Sequence, residues 1–190
     1  MAMRGVSNDK ATGKYNVAIG QYAMQYYTSA ENNVAIGKYT LNATTTAANN
    51  VAIGHEALKA NTTGTRNTAV GSAALDALTT ENDNTAIGYA ALSSEVSGFR
   101  NTAVGSGSGA NQNGGTNNTL LGYNAGSDIS TGDANTFIGS DCGDATTTAG
   151  NNTGVGQAAL GANTTGTQNV AVGALALDAN ITTSDSVAVG

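Results

Sequence analysis

The 190-residue chain has no proline and no tryptophan, only two phenylalanines and seven tyrosines, and a single cysteine. With so few large side chains, the layered core of an ordinary enzyme is hard to fill, and an enzymatic fold starts at a disadvantage. Cys142 has no intrachain partner, so no intrachain disulfide is expected. Charged residues make up only 11% of the chain, which argues against the strongly charged composition of a disordered segment. No run of 18 apolar residues occurs, so no membrane-spanning helix is expected, and the opening MAMRGVSNDK lacks the apolar stretch of a secretory signal. Bases are also missing from the distal half. The 7 Lys and Arg lie within residues 1–100, and residues 101–190 hold aspartates alone among charged residues. The net charge of −6 argues against a nucleic-acid surface.

Glycine is abundant, with 26 copies, and much of it is periodic. The box Asn-(Val/Thr)-Ala-(Ile/Val)-Gly recurs with its glycines at 20, 37, 54, 71, 88, 105, 122, 139, 156, 173 and 190, every interval being seventeen. An invariant spacing over eleven boxes marks a geometric unit, because loops between globular elements drift in length. Within the box, β-branched residues flank a central alanine, the alternation of a short strand. The glycine that follows, as at Gly37, Gly54, Gly71 and Gly88, suits a corner with positive φ or a close backbone approach. The box opens on asparagine in all copies but the last, where Ser186 stands. Stacked Asn33, Asn50, Asn67 and Asn84 can bridge successive units through their amides and so hold register.

Two further columns accompany the box. Four residues past the glycine come Met24, Leu41, Leu58, Leu75 and Leu92, then Gly109, Gly126 and Gly143, then Leu160 and Leu177. Where this column loses its leucine, Leu120 and Phe137 replace the box alanine, so the two columns are expected to exchange volume in one packing space. Nine residues past the glycine runs a Thr/Ser column that includes Thr46, Thr63, Thr80, Thr131 and Thr148, interrupted by Gly114. It reads as a second short strand with its turn. Two strands and two turns within one repeat leave no room for a helix. The expected fold is therefore all-β, a parallel β-solenoid with one coil per repeat and about eleven repeats over residues 12–190, with residues 1–11 as an N-terminal cap or lead. Three apolar side chains per coil make a thin core. The alanine ladder from Ala18 to Ala103 is read as an outward surface on which other chains pack, so that association supplies what the coil lacks.

The boxes NNVAIG and NTAVG resemble the head repeats of trimeric autotransporter adhesins, the YadA-like family, and NTAVGSAAL followed by NTTGT is similar to repeats of bacteriophage tail-fibre proteins. The likeness covers residues 16–190. It implies a left-handed β-roll, a homotrimer, and a role in attachment to a glycan or protein receptor on a cell surface, on a virion or a bacterial exterior. It also implies Val17 and Ile19 inside each roll and Ala18 toward the trimer. The adhesin unit is shorter than the repeat of this chain, which favours the fibre reading, and the end at Gly190, midway through a coil, reads as an excerpt of a longer protein.

Several residues are candidates for a site. Tyr22, Tyr26, Tyr27 and Tyr39 cluster near the start with Tyr15, and such aromatics form either a sugar- or protein-contact surface or a cover over the first coil. His55 has no second histidine to form a metal or catalytic pair, and Asp128, Asp133, Asp141 and Asp144 follow no calcium-loop spacing, so no metal site or cofactor is expected. No nucleophile elbow or phosphate loop occurs, and no enzymatic activity is expected. A rival reading takes the Thr/Ser ladder as an ice-binding face. The interruptions at Gly114, Val96, Asn113 and Ile181 favour hydrogen bonding between coil turns for that column instead.

Overall fold

The computed structural model describes residues 12–190; the proposed cap or lead at 1–11 lies outside the described residues. Eleven three-residue strands follow one another: β1 (Val17–Ile19), β2 (Val34–Ile36), β3 (Val51–Ile53), β4 (Thr68–Val70), β5 (Thr85–Ile87), β6 (Thr102–Val104), β7 (Thr119–Leu121), β8 (Thr136–Ile138), β9 (Thr153–Val155), β10 (Val170–Val172) and β11 (Val187–Val189). They form one parallel sheet in chain order. Each strand residue pairs with its equivalent in the next repeat, as Val17 with Val34 and Thr119 with Thr136. Among the described residues there is no helix. The chain is a β-solenoid whose repeat is one coil.

The rest of each coil differs from expectation. The Thr/Ser segment forms no second strand; a single bridge, Glu31 to Ala48, is the only ladder outside the main sheet among the described residues. The reason lies in the backbone. Two and four residues past the box glycine the chain repeatedly adopts positive φ, as at Tyr39 (60°) and Leu41 (45°), and again just before each box, as at Asn49 (60°). Alternating left-handed residues wind the return path through successive tight turns, which no pleated strand can follow. The backbone groups are nonetheless paired between coils, as in Leu41 N–H to Ala57 O (3.1 Å) and Asn49 N–H to Glu31 O (3.1 Å).

The inside and outside of the strand are also reversed from expectation. The box alanines are buried, Ala18 at 5% exposure and Ala35 through Ala103 at zero, whereas Val17 and Ile19 are 45% and 54% exposed. The interior is too narrow for a larger side chain at the central box position, because the leucine column projects from the opposite wall into the same space. Where Gly109, Gly126 and Gly143 vacate that wall, Leu120 and Phe137 enter from the strand and are fully buried. A Cβ added to Gly109 would stand 2.8 Å from Leu92 and 2.9 Å from Leu120, and one added to Gly126 would stand 2.7 Å from Ile129 and 2.8 Å from Leu120. The two columns occupy one space. Since alternation along a strand has period two, alanine pointing in sends its β-branched neighbours out.

The asparagine ladder staples the coils. Each Oδ1 accepts the backbone N–H of the next box asparagine, as Asn67 does from Asn84 (2.9 Å) and Asn84 from Asn101 (3.0 Å). Each Nδ2 donates to a carbonyl of the next coil, as Asn50 to Gly64 O (2.8 Å) and Asn84 to Gly98 O (3.0 Å). Only a short carboxamide carries both an acceptor and a donor in this geometry. Asn84→Ala removes two buried hydrogen bonds and strands their partners in an interior with no alternative. The expected loss is roughly 2–4 kcal/mol, read as a lower urea midpoint with unchanged slope; an unaltered midpoint would show that the ladder is dispensable.

Candidate functional site

The outward face of the eleven-stranded sheet is a regular surface along the described coils. One ladder runs Val, Val, Val, then Thr from Thr68 to Thr153, then Val170 and Val187; the other is Ile, Val or Leu from Ile19 to Val189. Its rungs are partly to fully exposed, with Leu121 at 44%. Because a parallel sheet stacks equivalent residues at about 4.8 Å, eleven rungs make an apolar stripe roughly 50 Å long. The surface assigned to chain-to-chain contact from the sequence, the alanine ladder, lies inside the coil instead.

The tyrosines at the start of the rod separate into different environments. Tyr22 stacks on Tyr39 with ring centroids 5.0 Å apart and planes 16° from parallel. Tyr39 is also approached by Lys38 Nζ at 5.0 Å and Lys59 Nζ at 6.0 Å from the centroid, and by the edge of His55 at 6.4 Å. Lys59 also donates to Glu56 Oε1 at 3.0 Å, and this ammonium holds the Glu56 carboxyl below its ordinary value. Tyr27 packs against the apolar core, while Tyr26 and Tyr15 stand exposed. Tyr22 and Tyr39 therefore share one stack, and Tyr26 and Tyr27 do not join it.

The hydroxyl columns divide their roles. Eight residues past the glycine, threonine hydroxyls donate to the carbonyl one coil on, as Thr45 to Thr62 O and Thr62 to Thr79 O, both 3.1 Å. In the neighbouring column Thr46, Thr63, Thr131 and Thr148 are exposed and make no side-chain hydrogen bond among the described residues, and Thr80 bonds only to the adjacent Glu81 carboxylate at 3.0 Å. The coil-turn bonding expected for this column thus belongs to the adjacent one, whose side chains lean along the rod axis instead of away from it.

The remaining polar candidates are used locally. Asp133 Oδ1 accepts from the Thr116 hydroxyl at 2.8 Å, Asp128 Oδ1 from Asn111 at 2.9 Å, and Asp141 Oδ2 from Ser140 at 2.8 Å. Burial, with the charges of Asp141 and Asp128, pushes the Asp144 carboxyl upward. Among the described residues no three His, Cys, Asp or Glu side chains gather as a metal-holding group. Burial raises the Cys142 thiol to about 11, so it packs as a small apolar group without thiolate chemistry. Sequence reading missed Glu95, which is fully buried. Its carboxylate accepts from the backbone N–H groups of Ser97 (3.2 Å), Gly98 and Gly114 (2.9 Å) and from Gln112 Nε2 (2.8 Å). Asn61 closes the equivalent turn on Gly64 N–H at 2.9 Å, so Glu95 is a structural variant of that asparagine. Asn61, Gln112, Asn163 and Asn180 share its column seven past the glycine, but so do Leu78 and Ile129, so the signal was weak.

Compared with known proteins, the chain matches no family model, no curated protein and no solved structure.

Proposed function

We propose that this chain is a non-enzymatic segment of a surface fibre, a rigid trimeric shaft or head built of left-handed β-rolls, in a phage tail fibre or, as the second form of the same reading, a bacterial adhesin that binds host matrix or glycans. The observation that supports it is the uninterrupted outward stripe of Val/Thr and Ile/Val/Leu ladders. A contiguous apolar surface of this length is at or beyond what soluble monomers leave open. Three rods packed about an axis parallel to their length would cover all three stripes and close the assembly. Stacked coils transmit load along the axis, and three copies of any weak contact add avidity. The resemblance of the repeats to phage fibres and adhesin heads supports a position on a virion or a bacterial exterior.

Light scattering on the size-fractionated chain tests the assembly and should return the mass of three chains. Ile87→Lys with Val104→Lys puts six ammonium groups into the closed assembly, and is expected to weaken association at least about a hundredfold while β-sheet circular dichroism is kept. A wild-type chain that is folded and monomeric at micromolar concentration defeats the trimer. The exposed Thr63 and Thr80 rungs support a second reading, an ice-binding face. Ice-recrystallisation inhibition abolished by bulky replacements at these two positions is the result that would favour it over the fibre.

A further inference from the structure

We propose that a slot between Tyr89 and Tyr123 takes one neutral pyranose ring, an inference that rests on the attachment reading for its biological sense and on geometry for its chemistry. Both tyrosines occupy the position directly after a box glycine, beyond the corner and off the sheet face, and are 66% and 58% exposed. In-register pairing of β5, β6 and β7 places them two rungs apart with Ser106 between them. Two rungs are about 9.6 Å. The Tyr22–Tyr39 pair, in the neighbouring column two residues past the glycine and one rung apart, stacks at 5.0 Å and shows that tyrosines at equivalent positions of adjacent coils can stack face to face in this rod. Removing the middle member of such a stack leaves a gap with about 5 Å on each side for one inserted ring, within the range of ring-on-ring contact.

The floor of the gap is polar and unpaired. Gly107 follows Ser106, and any Cβ there would run into Asn124 Oδ1, so the glycine makes room for the Asn124 carboxamide beside the slot. Asn124 is held by its backbone, which donates to Ser106 O at 3.0 Å and accepts from Ser127 N–H at 3.1 Å. Its carboxamide, like the Ser106 hydroxyl, makes no side-chain hydrogen bond among the described residues, in contrast to the box asparagines such as Asn84, Asn101 and Asn118, which are stapled between coils. Two apolar ring faces over a free carboxamide and hydroxyl suit a sugar, which presents C–H faces and a rim of hydroxyls. The ligand is neutral, because residues 101–190 contain no Lys or Arg to meet an anion and the acidic Asp141 stands in the next coil, its N–H bonded to the Tyr123 carbonyl at 2.9 Å.

Saturation-transfer NMR on the full chain with the methyl α-pyranosides of glucose, mannose and galactose, alongside sialyllactose as an anionic probe, tests the slot. Saturation should reach the ring protons of at least one neutral hexoside. Tyr89→Ala or Tyr123→Ala should weaken binding at least tenfold, and Ser106→Tyr, which restores the missing member of the stack, should abolish it. Ser72→Tyr, which adds a ring outside the slot, should leave binding unchanged. Saturation of no neutral hexoside, of sialyllactose alone, or equally of wild type and Ser106→Tyr overturns the proposal. Wild-type chains that adsorb to cells yet show none of these signals would overturn the slot and leave the fibre reading standing. Hexoside binding lost in Ser106→Tyr by a chain that light scattering shows to be monomeric would do the reverse.

Discussion

Gly88→Ala is expected to destabilise the rod by at least about 4 kcal/mol, the range reached only by a few severe mechanisms. Gly88 has φ +140°, a region closed to L side chains, and its added Cβ would stand against the Gly105 carbonyl, 2.5 Å from Gly105 C and 3.0 Å from Ser106 N. The obstacle is backbone, its carbonyl held by Ser108 N–H in the same turn at 3.3 Å, so the clash cannot be relieved by a rotamer change. Separating the two coils would break the ladder on which the whole stack depends. Ala90→Gly, two residues away at φ 52° with no close approach required, provides the contrast: relief of left-handed strain outweighs the added freedom of the unfolded chain, for a gain of about 0.5–1 kcal/mol. Thermal or urea unfolding of the pair checks both signs. A Gly88→Ala midpoint within a few tenths of a kcal/mol of wild type would remove the corner glycine from its role.

Phe137→Ala is the second large effect, about 3–5 kcal/mol, because the buried ring fills a space that no neighbour can enter. The structure also names its partner. A Cβ on Gly143 would meet Phe137 ring atoms at 2.5 and 2.6 Å, whereas one on Gly126 lies 3.3 Å from the ring and is blocked mainly by Ile129 and Leu120. Gly143→Leu alone should therefore overpack the coil by roughly 1–3 kcal/mol or more. The double variant Phe137→Ala/Gly143→Leu recreates the alanine–leucine pair of the earlier coils. It should be more stable than the sum of the single effects by about 2 kcal/mol or more, the void beside Gly154 being what remains. Additive single effects, measured in a double-mutant cycle, would refute a shared packing space.

The compensation of Leu120 and Phe137 for Gly109, Gly126 and Gly143 was visible in the amino-acid order, and it already implied that the central box position points inward. Side-chain size alone favours Ala18 outside and its larger neighbours inside, and in the folded coil that exchange of volume wins over size. The positive-φ turns had a partial signal: the position before the box carries asparagine in four of the eleven copies, Asn32, Asn49, Asn117 and Asn151, and asparagine tolerates the left-handed region best after glycine, but the same turn is also made by Arg66, Ala134 and Gln168. The candidate slot was less legible, since Tyr89 and Tyr123 lie two repeats apart along the chain and become neighbours only once the coils are stacked. Nothing in their local sequence distinguishes them from solvated corner residues.

An unbroken period of seventeen was enough to establish the repeat, the parallel stacking and the absence of a helix among the described residues, because each box must meet its own copy and no spare length exists for another element. The width of the coil's interior, by contrast, followed from the left-handed turns and the opposing leucine wall. That width decided which strand face is buried, and hence which surface is left for other molecules. Period-two alternation alone is symmetric between the two faces, and only the space inside the closed coil breaks the tie.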